Sequence, residues 1–204
     1  MYTPPSFVES DPKNLHDFIR ENSFATLIST AGDFPTATHV PLLLYADPGR
    51  HGTLLGHMAR ANQQWKSMDG ADVLAIFHGP HAYISSSWYE TNKAVPTWNY
   101  IVVHAHGECQ ITDDAESNRQ TVERYMERFE PTYQADEEYV TDILPATVSF
   151  RIPISRLEGT WKLSQNHSRE RRRSVVQHLR TVGDAGSVEI AELMSKSLDS
   201  DPDM

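Results

Sequence analysis

Cysteine is almost absent from this 204-residue chain, in which Cys109 is the single example. A lone cysteine excludes an internal disulfide framework and a metal site made of cysteines alone. Long apolar runs are also missing, since no stretch approaches the roughly 18 apolar residues of a membrane-spanning helix. The segment Met1 to Pro5 has neither the charged region nor the apolar core of a secretory signal. These absences predict a cytoplasmic protein without membrane spans.

Several signatures of function and of domain division are missing as well. The sequence has no G-x-G-x-x-G dinucleotide fingerprint and no nucleophile-elbow pattern. It has no internal repeat, low-complexity tract or Gly/Ser-rich linker. We therefore expect one domain, with the main body over residues 1–166 and a helical appendage with an acidic tail over residues 167–204.

Positive charge is in deficit, with 18 basic against 28 acidic residues and a net charge of −10. Residues 113–142 hold ten acids and three bases, and residues 184–204 hold six acids and one base. The rest of the chain is close to neutral and is compatible with an anion site. Non-specific nucleic-acid binding normally requires a basic domain, which the chain as a whole does not form.

Apolar periodicity and turn residues predict a strand-rich chain with helices at its start, middle and end. The predicted strands cover 24–30, 35–45, 53–58, 73–77, 82–88, 97–109, 146–154 and 157–163. The predicted helices cover 12–22, 59–68, 113–130, 168–182 and 187–198, with a turn at 31–33 and a disordered tail at 199–204. The strands cluster without strict strand–helix alternation, which favours an antiparallel barrel over a doubly wound parallel sheet.

A candidate anion site lies in the segment Leu55 to Trp65, where a predicted strand runs into a predicted helix. The first N–H groups of a helix lack partners and carry partial positive charge, which suits a phosphate. Arg60 adds a bidentate fork, and His57 adds a second donor. The alternative is an ordinary helix start at which Arg60 and Asn62 face water.

Two further segments, Phe77 to Tyr89 and Pro96 to Tyr100, combine aromatic rings with hydroxyl groups. Such a surface can stack a planar ring and satisfy its polar edge. The alternative is a hairpin whose aromatic residues belong to the core.

The histidines and the basic cluster complete the set of candidates. His104 and His106 share one strand face, but the sequence supplies no third ligand at a diagnostic spacing, so no metal site is predicted. Cys109 is expected to be a packed core thiol. Four clustered arginines are candidates for DNA contact or, alternatively, a solvated helix face that pairs with acidic segments: Arg169, Arg171, Arg172 and Arg173.

Six motifs in order resemble the PaiB-type FMN-binding negative transcriptional regulators. They are Met1-Tyr2-x-Pro4-x-x-Phe7, His39-Val40-Pro41-Leu42-Leu43, Gly56-His57-Met58-Ala59-Arg60-Ala61-Asn62-x-x-Trp65, Gly79-Pro80-His81-Ala82-Tyr83-Ile84-Ser85-x-Ser87-Trp88-Tyr89, Val95-Pro96-Thr97-Trp98-Asn99-Tyr100 and Lys162-Leu163-Ser164-Gln165-Asn166. That family is a flavin-reductase-like split barrel related to pyridoxamine-phosphate oxidases. The resemblance implies a mainly β protein with peripheral helices, built on an antiparallel split barrel.

The resemblance also implies a homodimer with FMN at the subunit interface. It places the flavin phosphate at His57, Ala59, Arg60 and Asn62, with Lys162 as a second charge. Trp98 and Tyr100 would line the ring, and Gln165 and Asn166 would lie near its polar edge. The related oxidases usually carry Ser/Thr and Lys in the phosphate stretch, whereas Arg60 is the one fixed cation here. FMN is expected rather than FAD because the dinucleotide fingerprint is missing.

Three functions follow as hypotheses. The first is an FMN-binding negative regulator of transcription that senses flavin or redox state. The second is a flavin-dependent oxidoreductase, and the third is a split-barrel protein that binds haem through one of its histidines.

Overall fold

The structure is a computed structural model that describes residues 1–31 and 34–200. Its strands are β1 Val8–Glu9, β2 Phe24–Ala31, β3 Phe34–Pro41, β4 Leu43–Tyr45, β5 Thr53–Ala59, β6 Asp72–Ile84, β7 Thr97–Glu108, β8 Gln110–Thr112 and β9 Thr147–Lys162. Its α-helices are α1 Pro12–Glu21, α2 Ala115–Phe129, α3 Glu137–Ile143, α4 Arg169–Val182 and α5 Ala185–Ser200. Short 3-10 helices occupy Pro5–Phe7, Gln63–Ser67, Ser86–Tyr89 and Leu144–Ala146. Residues 32–33 of the predicted turn and 201–204 of the predicted tail lie outside the described residues.

The strands form an antiparallel sheet in the order β3-β2-β6-β7-β9-β5-β4. The hairpin β2–β3 is paired from Phe24 opposite Pro41 to Ala31 opposite Phe34. Strand β9 pairs with β5 through its first half and with β1 near its end, at Gly159 and Thr160. Strand β8 also pairs with β9. Local hairpins and one long shared strand therefore organise the sheet.

The chain divides into two compact units. The internal unit comprises Asp11–Phe77 and Val103–Leu157. Its fully buried side chains include Leu27, Leu54, Phe77, Phe150 and Ile152. Buried residues alternate along β2 and β6, as expected for strands with one covered face, whereas β5 and the first part of β9 contain runs of consecutive buried residues and are covered on both faces. Helix α1 begins as predicted, with Asp11 capping its first turn and Pro12 at its first position.

The terminal unit comprises Met1–Ser10, His78–Val102 and the chain from Glu158 to the end of the described residues. Helices α4 and α5 pack together here through Val175, Leu179, Ile190 and Met194. They are joined at Gly183, whose φ of 74° suits glycine at a helix C-terminus. The division expected at residue 166 stays a prediction.

Two predicted interruptions in strands are wrong. Gly79-Pro80 does not end a strand, because β6 runs without a break from Asp72 to Ile84. Proline is compatible with extended backbone wherever the ladder does not need its N–H. Likewise β9 is one strand from Thr147 to Lys162. Its two apolar stretches reflect different pairing partners rather than two strands.

One helix prediction also requires correction, and one helix was not predicted. The predicted helix 59–68 is a 3-10 helix over Gln63–Ser67, because the side chain of Asn62 accepts a hydrogen bond from the Gln64 N–H and fixes the start there. Helix α3, at Glu137–Ile143, lies in a stretch for which no element was predicted. Its signal was Asp136, which caps it through the N–H of Tyr139.

Candidate functional site

Arg60, directly after β5, is the central residue of the predicted phosphate segment. Its Nη1 donates to Asp113 at 2.7 Å, and its Nη2 forms a second bond to the same carboxylate. Its Nε donates to the Pro145 carbonyl at 2.6 Å, and Nη2 also donates to the Thr147 carbonyl at 3.0 Å. Hydrogen bonding to Arg60 holds the pKa of Asp113 below its usual value. The guanidinium thus ties the end of β5 to the start of β9 and the segment before α2.

A guanidinium has five N–H donors, of which these contacts use four. The second N–H of Nη1 has no partner among the described residues. Since Asp113 compensates the positive charge of Arg60, we infer that Arg60 has one donor, not a full cationic fork, to offer an anion.

Asn62 lies two residues further on and is also engaged within the internal unit. Its amide nitrogen donates to the hydroxyl of Thr38 at 2.9 Å, while its oxygen caps the 3-10 helix. The neighbouring Gln64 is buried and donates to Ser29 Oγ at 3.0 Å and to the Thr36 carbonyl at 3.1 Å. This amide binds both strands of the β2–β3 hairpin. The role of Gln64 was not predictable from the sequence, because a buried glutamine has no characteristic spacing.

His57 lies on β5 with its ring edge against Tyr125 of α2, at a centroid distance of 4.5 Å. Burial lowers the pKa of His57, so the neutral imidazole is favoured. Within the described chain, its buried Nδ1 has no hydrogen-bond partner, nor does the hydroxyl of Ser149, which lies directly opposite on β9. Ala59, the last residue of β5, is exposed.

The terminal unit presents a second group, here called the aromatic surface: His81, Tyr83, Trp98, Tyr100 and Lys162. The ring of Trp98 lies 6.0 Å from that of His81 and 5.9 Å from that of Tyr83. Trp98 is 53% exposed and Tyr83 is 48% exposed. Lys162 places its Nζ 5.9 Å from the centre of the Tyr100 ring and donates to the Thr97 hydroxyl. Burial lowers the pKa of Lys162.

A buried polar network follows Lys162 in the chain. Ser164 has a φ of 63°, a left-handed conformation that is uncommon outside glycine. Its hydroxyl bonds to Tyr89 Oη at 2.7 Å and accepts from Asn99 Nδ2 at 3.0 Å. Gln165 folds its amide back onto the neighbouring backbone, whereas Asn166 is exposed. The network explains why the turn after β9 is held in an unusual conformation.

The structure therefore brings Trp98, Tyr100 and Lys162 together on one surface of the terminal unit. In the internal unit, His57, Arg60 and Asn62 are close in sequence, but their side chains have different partners: Tyr125, Asp113 and Thr38 respectively.

The basic cluster on α4 is smaller than the sequence indicates. Arg172 is only 2% exposed, and its Nη2 donates to Ser197 Oγ at 2.9 Å. The prediction that it presents its charge with the others is wrong, because position 172 falls on the helix face that packs against α5. Arg171 and Arg173 are exposed, and Arg169 is half-buried.

The remaining candidates from the sequence are the histidine pair His104 and His106 and the single cysteine, Cys109. The rings of His104 and His106 lie 6.4 Å apart, and the Arg156 guanidinium lies 3.0 Å from His106 Nε2. A cation at that place opposes the binding of a metal ion. Cys109 is fully buried, and burial raises its pKa to about 12, as expected for a packed thiol.

Comparison with known proteins assigns the chain to a family. A family model described as "Putative FMN-binding domain" matches residues 1–156, so the chain belongs to this FMN-binding domain family. The chain is 34% identical to the protease synthase and sporulation protein PAI 2 of Bacillus subtilis strain 168, over 97% of this chain and 98% of that protein. It is 28% identical to the uncharacterized protein AN0679 of Emericella nidulans, over 91% and 93% of the two chains.

A solved structure supports the fold. The FAD and heme binding protein from Mycobacterium smegmatis matches with a TM-score of 0.60 at 15% identity, over 76% of this chain and 73% of that one. The family and this fold confirm the predicted antiparallel split barrel and FMN as the family's cofactor. Among the described residues, no helix is long and apolar enough to cross a membrane.

Proposed function

We propose that the protein binds FMN with the flavin ring on the aromatic surface, and that it acts as a flavin-responsive negative regulator of transcription. The observation that carries the cofactor part is the exposure of Trp98 and Tyr83, together with the contact of Lys162 with the ring of Tyr100. Exposed neighbouring aromatic side chains mark binding surfaces, because water solvates them poorly.

The residues on this surface fit the chemistry of a flavin. Aromatic faces can stack a planar tricyclic ring, and an ammonium group can balance negative charge at the ring's polar edge. When bound, FMN supplies redox chemistry. In this proposal Trp98 and Tyr100 orient the ring, Lys162 binds its edge, and Gln165 and Asn166 lie toward its polar atoms.

The phosphate remains assigned to the segment that carries His57, Ala59, Arg60 and Asn62. The free N–H on Arg60 Nη1 supports this assignment with one hydrogen bond. The other N–H groups of Arg60 are bonded to Asp113 and to two carbonyls. The affinity for the phosphate therefore depends on donors from elsewhere, and backbone N–H groups and a partner subunit are candidates.

The regulatory part is supported by similarity to PAI 2, a protein whose name connects it with protease synthesis and sporulation. The similarity extends over nearly the full length of both chains, so it includes α4 and α5 as well as the split barrel.

We further propose a homodimer, supported by the exposed rings of Phe24 and Phe34 on the β2–β3 hairpin. Light scattering should give twice the chain mass, and a concentration-independent monomer would contradict the interfacial site.

The cofactor proposal predicts the effect of removing one ring. Replacing Trp98 by Ala should weaken FMN binding about ten-fold, because one stacking contact is worth on the order of 1–3 kcal/mol. Trp98→Phe should recover most of the affinity. Quenching of flavin fluorescence during titration measures both values, with Tyr139→Ala, an exposed ring of the internal unit, as a matched control. Equal affinity in all four proteins would contradict the ring assignment.

The two other functions are separated by spectroscopy and turnover. Absorbance of the purified protein distinguishes bound flavin from bound haem. The haem hypothesis is supported by a solved structure of the same fold that is described as binding heme. Consumption of NAD(P)H in the presence of FMN would identify an oxidoreductase. We expect a flavin spectrum after reconstitution and no sustained turnover.

A further inference from the structure

A cavity of about 220 Å³ lies beside β4 and β5 in the internal unit. Its lining includes Tyr45, Asp47, Pro48, Leu55, Arg124 and Arg151. The residues come from three parts of the chain: β4 with the turn after it, α2, and the paired strands β5 and β9. No proposed flavin contact is among them.

Two arginines supply positive charge to this cavity. Arg124 on α2 places its guanidinium carbon 5.0 Å from the centre of the Tyr45 ring, which supports one face of the guanidinium. Arg151 on β9 lies opposite Leu55 of β5. In the part of the chain that the structure describes, neither side chain has an ion-pair or hydrogen-bond partner. Their N–H groups are therefore available to an anion, which would also relieve the repulsion between them.

The remaining lining limits the charge and size of that anion. Asp47 reduces the net charge of the cavity to about one positive charge and disfavours a dianion. Leu55, Pro48 and the Tyr45 ring provide apolar walls. The volume exceeds the ~150 Å³ cavity that holds benzene and is smaller than the roughly 300 Å³ lower limit of drug-sized sites. One ring with one carboxylate matches these dimensions, whereas FMN is too large.

We propose that this cavity binds a small monocarboxylate with an apolar body of about one ring, held by Arg124 and Arg151. The site is independent of the flavin site and remains if the proposed function is wrong.

Benzoate is the probe for the test, used on the full chain in calorimetric titration. Benzamide has the same shape without the charge, and inorganic phosphate has charge without the apolar body. We expect saturable binding of benzoate that is at least ten-fold tighter than binding of either comparison compound. Equal binding of benzamide would overturn the role of the arginines, and equal binding of phosphate would overturn the role of the apolar walls.

Variants place the binding in this cavity. Arg124→Gln and Arg151→Gln should each weaken benzoate binding about ten-fold or more, since each removes a charge-assisted contact. Arg128→Gln is the matched control, one turn along α2, where its side chain donates to the Arg20 carbonyl. Both cavity arginines are exposed, so the variants should fold, which circular dichroism verifies. Wild-type affinity for benzoate in both cavity variants would overturn the proposal.

Discussion

At the scale of single residues, Arg60 has one role that the structure shows and one that we propose, and experiments can separate them. Its bonds to Asp113 and to the carbonyls of Pro145 and Thr147 connect parts of the fold, whereas binding of a phosphate by its remaining N–H belongs to the proposed function. Loss of a structural contact lowers the stability of the protein, whereas loss of a phosphate ligand lowers its affinity for FMN. The effect of one substitution is therefore measured both on stability and on FMN binding.

Replacing Arg60 by Met should lower the melting temperature and weaken FMN binding about ten-fold or more, because one charge-assisted hydrogen bond is worth roughly 1.5–3 kcal/mol. Asp113→Asn is the comparison, because it removes the charge partner and keeps the guanidinium. It should lower the melting temperature but leave FMN binding equal or stronger. If both variants lose stability and neither changes FMN affinity, Arg60 is a connector alone.

Ser164 is the second informative residue, because its unusual φ and its hydrogen bonds have opposite consequences for substitution. Ser164→Gly relieves the left-handed backbone but removes the hydroxyl that joins Tyr89 and Asn99. The loss of buried hydrogen bonds, about 1–3 kcal/mol when a partner is left unsatisfied, should outweigh the relief of about 1 kcal/mol. Urea unfolding should show lower stability.

Glu90 provides the control for this prediction, since it has a φ of 51° and is exposed. Glu90→Gly should be neutral or slightly stabilising, because no buried network depends on it. Ser164→Gly at wild-type stability would mean that the network contributes nothing beyond the backbone conformation.

At the scale of elements, the sequence predicted those helices and strands that have local signals. Asp11 and Pro12 mark the start of α1, and Gly183 marks the end of α4. The errors arise where a distant partner decides. Strand β6 continues through Gly79-Pro80, and Asn62, whose side chain caps the 3-10 helix at Gln63, is itself held by the hydroxyl of Thr38, 24 residues away. No local pattern contains such a contact.

Two helix caps give a prediction for the dependence of stability on pH. Asp114 and Asp184 each accept bonds from the N–H and hydroxyl of the serine three residues later, which lowers the pKa of both carboxyl groups below the ordinary 3.8. A lowered pKa in the folded state stabilises the protein above about pH 4, and this contribution is lost as the pH falls through the folded-state pKa.

Asp184→Asn retains a good cap that does not titrate. The melting temperature of this variant should lie slightly below that of the wild type at neutral pH, and the difference should shrink toward about pH 3. Thermal melts across this range measure the effect. A difference that stays constant with pH would show that the charge of Asp184 contributes nothing.

At the scale of the whole molecule, the sequence predicted the family and its cofactor better than the individual contacts. The motifs predict that Trp98 and Tyr100 share one surface, because alternate residues of a strand face the same way. The contact of Lys162 with Tyr100 was not predicted, because Lys162 lies on a different strand. The partners of Arg60 and His57 were not predictable, since Asp113 and Tyr125 are more than 50 residues away from them in sequence. A binding segment can be recognised from its residue types, whereas the competition for its donors depends on the fold.

The last prediction concerns DNA, which a regulator contacts either directly or through a partner. The chain carries a net charge of −10, and binding of DNA phosphates requires cations on a common face. With Arg172 buried against α5, the cluster on α4 offers only Arg169, Arg171 and Arg173.

We therefore expect weak, salt-sensitive binding in a gel-shift titration against the upstream region of the protein's own gene, and loss of that binding on replacement of these three arginines by Ala. Tight, sequence-selective binding that survives this replacement would contradict both the weak affinity and its location. Tight binding that is abolished by the replacement would confirm the arginines as the DNA contacts. It would contradict an indirect mechanism, in which a partner protein recognises the flavin-bound state.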